Sequence, residues 1–297
     1  MIESYKQAIE IDPDDAEVHN NLGIAYSKSG KYEEAIDAFK QAIKINPDFA
    51  EAHYNLGNTY GNLGKYQEAI EPYKQAIRIN PDDAMAHNNL GAAYSKSGKY
   101  QEGIESYKQT VKIDPDDTKA HCGLGHACNS LGKYKEAIEA FKQAIRLDPD
   151  DAEVHNSLGA AYGELGMHKE AIESFKQAVR INPDYADAHY NLGNAYHELG
   201  KYKEEIESYK QAIRINPDMA EAHNNLGAAY DESGMYEEAV EACKQAIRIN
   251  PDDADAHFDL GVAYHFSNDR GSAMEQYKIL KTLDPERANK LFNLINE

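Results

Sequence analysis

The chain has 297 residues and a mass of 33.2 kDa, with 41% hydrophobic residues and no apolar run long enough to cross a bilayer. Its 51 Asp and Glu against 31 Lys and Arg give a formal net charge of -20, which repels a polyphosphate backbone or an anionic lipid surface, so nucleic acid and direct membrane insertion are disfavoured. Three cysteines make no disulfide framework and no charged-then-apolar leader opens the sequence, so a soluble protein of the reducing cytoplasm is expected.

The first predicted element is a helix in "IESYKQAI", Ile2 to Ile9, which matches the second helix of later units and has no first helix before it. From there one spacing organises the chain. Pro13, Pro47, Pro81, Pro115, Pro149, Pro183, Pro217, Pro251 and Pro285 recur every 34 residues, as do the Leu-Gly pairs beginning at Leu22, Leu56, Leu90, Leu124, Leu158, Leu192, Leu226 and Leu260. In the first full unit Leu22 and Tyr26 share a helical face with His19, a turn falls at Ser29-Gly30, and Ile36, Phe39 and Ile43 form a second apolar stripe. Gly23, Ala35 and Ala42 are small residues where helices cross, Gly23 letting a neighbouring helix backbone approach, and Pro47 ends the second helix. Asp48 is expected to cap the next helix, with Glu51 completing a capping box. Leu22, Gly23, Tyr26, Ala35, Phe39, Ala42 and Pro47 stand at the signature spacings of the tetratricopeptide repeat, and the chain is identified by them as resembling that family over nearly its whole length. The resemblance implies an all-α fold, a right-handed superhelix or α-solenoid of antiparallel helix pairs.

Along the chain this predicts a single solenoid over 1–297: an unpaired second helix at 1–15, eight repeats at 16–287 and a capping helix at 288–297, 18 helices in all. The repeat starting mid-unit implies that the natural protein continues upstream and leaves Ile2, Tyr5 and Ile9 as an uncovered patch, an open N-terminal end through which copies could associate. In the second repeat Pro72 lies inside the second helix and predicts a bend there. The fourth repeat departs most: Lys119, Gly123 and Cys128 replace the usual acid, Asn and Tyr, and Cys122 and His126 offer two side chains at metal-ligand spacing without a third. In the eighth, Asn268-Asp269-Arg270 replaces Gly-Lys-Tyr, and beyond it Ala288, Leu291, Phe292 and Ile295 make the apolar stripe of the last helix.

The repeating histidines and nearly all 21 tyrosines fall at packing registers, Cys243 is read as a small buried hydrophobe, and no catalytic motif is found, so no enzyme, no cofactor and no metal are expected. In the family the first helices line a concave groove into which the residues around Leu-Gly point. The position before Leu reads Asn21, Asn55, Asn89, Gly123, Ser157, Asn191, Asn225 and Asp259, a row of amides able to meet an extended peptide backbone, or alternatively to bond neighbouring helices. One residue earlier stand Tyr54 and Tyr190, and one beyond Gly stand Asn58 and Asn194, in an alternation that a duplicated two-repeat unit also explains. Asn21, Tyr54, Asn55, Asn58, Asn89, Tyr190, Asn191, Asn194, Asn225 and Asp259 are therefore the candidate peptide-binding set. Tetratricopeptide domains that clamp acidic C-termini place Lys and Arg where this chain has mostly Glu17, Glu51, Glu153, Asp187, Glu221 and Asp255, so the expected partner is a protein or extended peptide, neutral or basic. The expected function is a non-catalytic protein-interaction scaffold or adaptor. Two alternatives are a self-assembling homo-oligomeric scaffold, such as a magnetosome-associated tetratricopeptide protein, and a regulatory or substrate-binding fragment of a larger enzyme such as a tetratricopeptide-containing glycosyltransferase.

Overall fold

The computed structural model describes residues 1–296. The described residues form 18 helices and no strand, and the chain divides into two compact units, Met1–Pro149 and the residues from Asp150 on. The first unit holds α1 (Ile2–Ile11), α2 (Ala16–Lys28), α3 (Tyr32–Ile45), α4 (Ala50–Asn62), α5 (Tyr66–Ile79), α6 (Ala84–Lys96), α7 (Tyr100–Ile113), α8 (Thr118–Ser130) and α9 (Tyr134–Leu147). The second holds α10 (Ala152–Glu164), α11 (His168–Ile181), α12 (Ala186–His197), α13 (Tyr202–Ile215), α14 (Ala220–Glu232), α15 (Tyr236–Ile249), α16 (Ala254–Phe266), α17 (Arg270–Leu283) and α18 (Pro285–Asn296). Within each unit, first helices pack on their own second helix and on the one before; some also meet the next first helix, as α2 meets α4 and α14 meets α16.

The turn inside each pair needs a left-handed residue, which reverses the chain in a few positions. Gly30 supplies it with φ 72°, and its counterparts through Gly234 do the same. In the last pair Asn268 takes that place at φ 63°, a conformation Asn tolerates better than most side chains. The rest of the Asn268-Asp269-Arg270 departure also has work to do. Asp269 caps α17 by accepting from the Ser272 N–H at 3.1 Å, and Arg270 reaches the Ile295 carbonyl at the end of α18 at 2.6 Å.

Two local expectations are corrected. The N-cap of a first helix is the second residue after Pro-Asp's proline, not the first: Asp15, Asp83, Asp117, Asp151 and Asp253 accept from the helix N–H groups, whereas Phe49, Tyr185 and Met219 hold that place without a side-chain cap. Asp48 instead pairs with Arg78 at 3.2 Å, and Glu51 accepts from Asn20 rather than closing a capping box. At Gly23 it is the Phe39 ring, not a helix backbone, that comes close: a Cβ there would lie 2.6 Å from a ring carbon.

The core is the same set in each unit. In the first unit Leu22, Ala35, Ile36, Phe39 and Ala42 are buried, and in the second Leu158, Ala171, Ile172, Phe175 and Ala178. Lys40, Lys74, Lys176, Lys210 and Lys244 sit 5.4–6.0 Å over the rings of the first-helix tyrosines Tyr60, Tyr94, Tyr196, Tyr230 and Tyr264. Helix α5 stays unbroken across Pro72 and matches its counterparts in length, so the proline does not end it. Helix α1 buries no residue fully, as expected of a helix covered on one side only. The last helix begins at Pro285 rather than at 288, because Asp284 accepts from the Glu286 and Arg287 N–H groups and Pro285 fits the first helical turn. Ala288, Leu291 and Ile295 are buried as the stripe requires, while Phe292 is 40% exposed and leans on Tyr277 instead. Leu291 takes up the space in front of Gly261 that an aromatic ring fills in most other repeats.

Candidate functional site

The first helices are fixed to the loops that precede them by one repeated hydrogen bond. Nε2 of His19, His53, His87, His121, His189, His223 and His257 lies 2.9–3.0 Å from the carbonyl of the proline six residues before it. The histidines are thus loop locks, each satisfying a carbonyl that the proline-terminated turn would otherwise leave open.

On the face that these helices present, the candidate amides are bonded to the neighbouring repeat in a series of separate short links within each unit. In the first unit Asn55 donates through Nδ2 to Asn20 Oδ1 at 3.1 Å, and Asn89 donates to Tyr54 Oη at 3.1 Å and to Asn58 Oδ1 at 3.0 Å. Asn58 Oδ1 also accepts from the Tyr73 hydroxyl at 2.8 Å. The second unit repeats this four repeats later: Asn191 to Asn156 at 3.1 Å, Asn225 to Tyr190 and Asn194 at 3.2 Å, and Tyr209 to Asn194 at 2.7 Å. Asn224 then donates to Asp259 at 2.9 Å. Nine of the ten candidate residues therefore stand in these networks; Asn21, half-buried on α2, stands outside them.

The amides are oriented by these bonds, not merely exposed. Asn89 and Asn225 have each committed both N–H groups, which leaves acceptor capacity on the amide oxygen, shared in Asn89 with the Asn88 amide at 3.5 Å, while Asn55 and Asn191 keep a second N–H. Beside them lie open hollows. One of about 400 Å³ in the first unit is lined by Asn58, Asn62, Tyr66, Tyr73 and Asn89, and one of about 580 Å³ in the second by Asn191, Asn194, Glu164, Glu198 and His168. The first is neutral and the second acidic.

Burial shifts several titratable groups of this face in the two units. Burial holds the Tyr73 and Tyr209 hydroxyls protonated well above the usual phenol range. Burial also pushes the Asp259 carboxyl up to about 6, with the Asn224 amide opposing the shift and Asp255, Asp231 and Asp253 adding to it. A carboxyl whose folded value exceeds its ordinary value near 3.9 stabilises the fold below that ordinary value, and the contribution fades as pH rises through about 6. The shift corresponds to about 2 kcal/mol after allowance for partial exposure. Asp259→Asn should therefore raise the melting temperature at pH 7.5 and leave it unchanged at pH 4; an equal gain at both values would remove Asp259 as the cause.

The candidate set leaves out several residues of this face, although Asn20, Asn156 and Asn224 share the alternating register of Tyr54 and Tyr190. Asn20, Asn156 and Asn224 supply the partner amides, and Tyr73 and Tyr209 the hydroxyls. A partial signal for the latter is present: both asparagines of the partner register, Asn58 and Asn194, face a tyrosine of the aromatic register, Tyr73 and Tyr209, although Tyr107 and Tyr277 stand opposite Ala92 and Val262. In the fourth repeat Gly123 replaces the amide because the Tyr107 ring fills the place a Cβ would need, and His126 sits edge-on to Phe141 at 5.1 Å. Cys128 is buried and its thiol pushed up by that burial. Also unforeseen is Glu205 on α13, 1% exposed where every other repeat has Ala or Gly. Its Oε1 lies 3.1 Å from His197 Nδ1, and burial pushes the carboxyl up to about 7 against the pull of that ring.

Stacked helix hairpins with a common polar face define a helical repeat protein. The chain belongs to the tetratricopeptide repeat family: the model of the cilia and flagella-associated protein 70 C-terminal domain matches residues 2–225, and two tetratricopeptide repeat models match 220–253 and 242–278. Among curated proteins nothing matches the sequence. Among solved structures, MamA is 31% identical with a TM-score of 0.53 over 55% of this chain and 95% of its own. YrrB, described as a tetratricopeptide repeat protein with an unusual peptide-binding site, is 25% identical with a TM-score of 0.55 over 62% of this chain and 95% of its own. A C-terminal part of a repeat protein from Cytophaga hutchinsonii shares the fold at 17% identity and a TM-score of 0.68, over 80% of this chain and 98% of its own. No helix among the described residues is long and apolar enough to cross a membrane.

Proposed function

We propose that this chain is a non-catalytic, cytoplasmic protein-interaction scaffold that binds an extended protein segment on the amide face of its first helices. The observation that carries the reading is the repeated set of bonded amides: Asn55, Asn89, Asn191 and Asn225 are held in fixed orientations by the neighbouring repeat. A pre-oriented amide binds a peptide N–H or C=O without first losing rotamer freedom. YrrB's described peptide-binding site supports the same use of a related fold. The acidic lining of the second unit favours a neutral or basic segment, with Glu164 and Glu198 beside Asn191 and Asn194.

The test is a peptide-array screen followed by calorimetric titration of one hit at 0.1 M and 1 M salt, where the Debye length falls from about 10 Å to 3 Å. Asn191→Ala with Asn225→Ala should weaken binding at least tenfold at both salts, since the loss is of short-range hydrogen bonds. Because these amides also tie repeats together, the melting curve of the double variant is measured alongside. Unchanged affinity in a folded double variant would take the amides out of recognition.

A second reading, association of copies through the N-terminal end, rests on α1, where no residue is fully buried; Ile2, Tyr5 and Ile9 are half-buried rather than uncovered, and the fully open apolar side chain of the helix is Ile11, 85% exposed. Light scattering across a concentration series distinguishes it, a strict monomer at high concentration counting against it.

A further inference from the structure

We propose that His197, Glu205 and Glu232 form a binding site for a divalent transition-metal ion of the zinc class, joining α12, α13 and α14 within the second unit. The three side chains come from the end of α12, the first turn of α13 and the end of α14, and one ligand atom from each lies within 4.8 Å of the others. His197 Nδ1 is 3.1 Å from Glu205 Oε1 and 3.7 Å from Glu232 Oε2. Ligand atoms about 2.0–2.2 Å from one ion stand roughly 3.0–3.5 Å apart, so the set needs only a small movement of Glu232 to close on a metal. That side chain is 41% exposed, at the end of its helix, and is able to make the movement.

Glu205 is the observation that sets this cluster apart from the surface acids around it. Its register holds Ala35, Ala69, Gly103, Ala137, Ala171, Ala239 and Ala273 in the other repeats, the small residue that lets two helices cross. A carboxylate has been inserted into that crossing, it is buried, and its Oε2 has no hydrogen-bond partner. An unpaired buried carboxylate oxygen costs stability unless a proton or a cation meets it. His197 covers one oxygen only. A cation bound at the Oε1 side, with Oε2 turning to share it, would meet the second. One imidazole with two carboxylates is a donor set for zinc, cobalt or a neighbouring first-row ion, whereas magnesium and calcium favour oxygen alone. His197 is 45% exposed, which leaves room for water to complete the coordination.

The probe is Co2+ alone, then Zn2+ alone, added to untagged, chelator-treated protein. The expected result is a visible cobalt absorption band that saturates at one ion per chain, is abolished by Zn2+ and is unaffected by excess Mg2+, together with a rise in melting temperature on adding Zn2+. Glu205→Ala restores the residue that the other repeats carry, so it should fold, melt higher than the native chain without metal, and bind at least tenfold more weakly with no metal-dependent rise. His197→Ala should lose the cobalt band as well. The proposal is overturned if the native chain shows neither band nor thermal shift, or if Glu205→Ala and His197→Ala respond to the metals as the native chain does, which would place binding at other histidines.

Discussion

Pro72→Ala is expected to raise the melting temperature of the first unit by about 6–12 °C. Helix α5 runs unbroken from Tyr66 to Ile79 with Pro72 in its interior. Proline there has no N–H to give to the Glu68 carbonyl, and its ring crowds that carbonyl, a combined cost of about 3 kcal/mol. The surroundings do not ask for proline: Ala38, Ala140 and Ala242 hold the same register, and Ser106, Ser174 and Ser208 hold it elsewhere, bonding back to the carbonyl four residues before. Each kcal/mol moves the midpoint of a unit of this size by about 2–4 °C. Thermal melts by circular dichroism read the shift, and slower hydrogen exchange in α5 would locate it there. A melting temperature that stays level or drops would mean that the stack already gains from the proline what the helix loses.

How much of this molecule could be read from its sequence depended on whether the signal was periodic. Helix number, pair boundaries and the buried Leu, Ala, Ile and aromatic positions follow from a spacing that every repeat obeys, and periodic burial is what an amphipathic helix must show. Contacts one step off the pattern were harder. The cap fell at Asp15 and Asp83 and not at the Asp directly after proline, because the turn uses two residues before the helix opens. The amide row could be found by its register, but its bonding could not, since Asn20 and Asn156 differ from the named ladder by one position and point to the next repeat. Glu205 was visible as a break in a small-residue register. That the break is buried and faces His197 and Glu232 depends on three helices meeting, which no local pattern encodes.

The same register logic gives the other large effect, a reversal of sign at Gly159. A Cβ at this position would fall 2.7 Å from the ring of Phe175, which is itself 4% exposed. In the native chain, then, Gly159→Ala forces a ring out of place at a cost of about 1–3 kcal/mol, larger than the roughly 1 kcal/mol that alanine gains over glycine in a helix. Phe175→Ala alone should cost about 3–5 kcal/mol, through lost burial and the cavity left behind. With the ring gone, the clash is gone too, and the methyl of Gly159→Ala enters the emptied space. In the Phe175→Ala background the glycine substitution should therefore stabilise by about 1 kcal/mol, giving a coupling of at least 1 kcal/mol across the cycle. Urea titrations of the four proteins measure it. Additive losses would show that Gly159 is kept for some reason other than the ring, whereas the expected coupling makes the Leu-Gly pair and the aromatic of the following helix a single packing unit, inherited together by each repeat that has both.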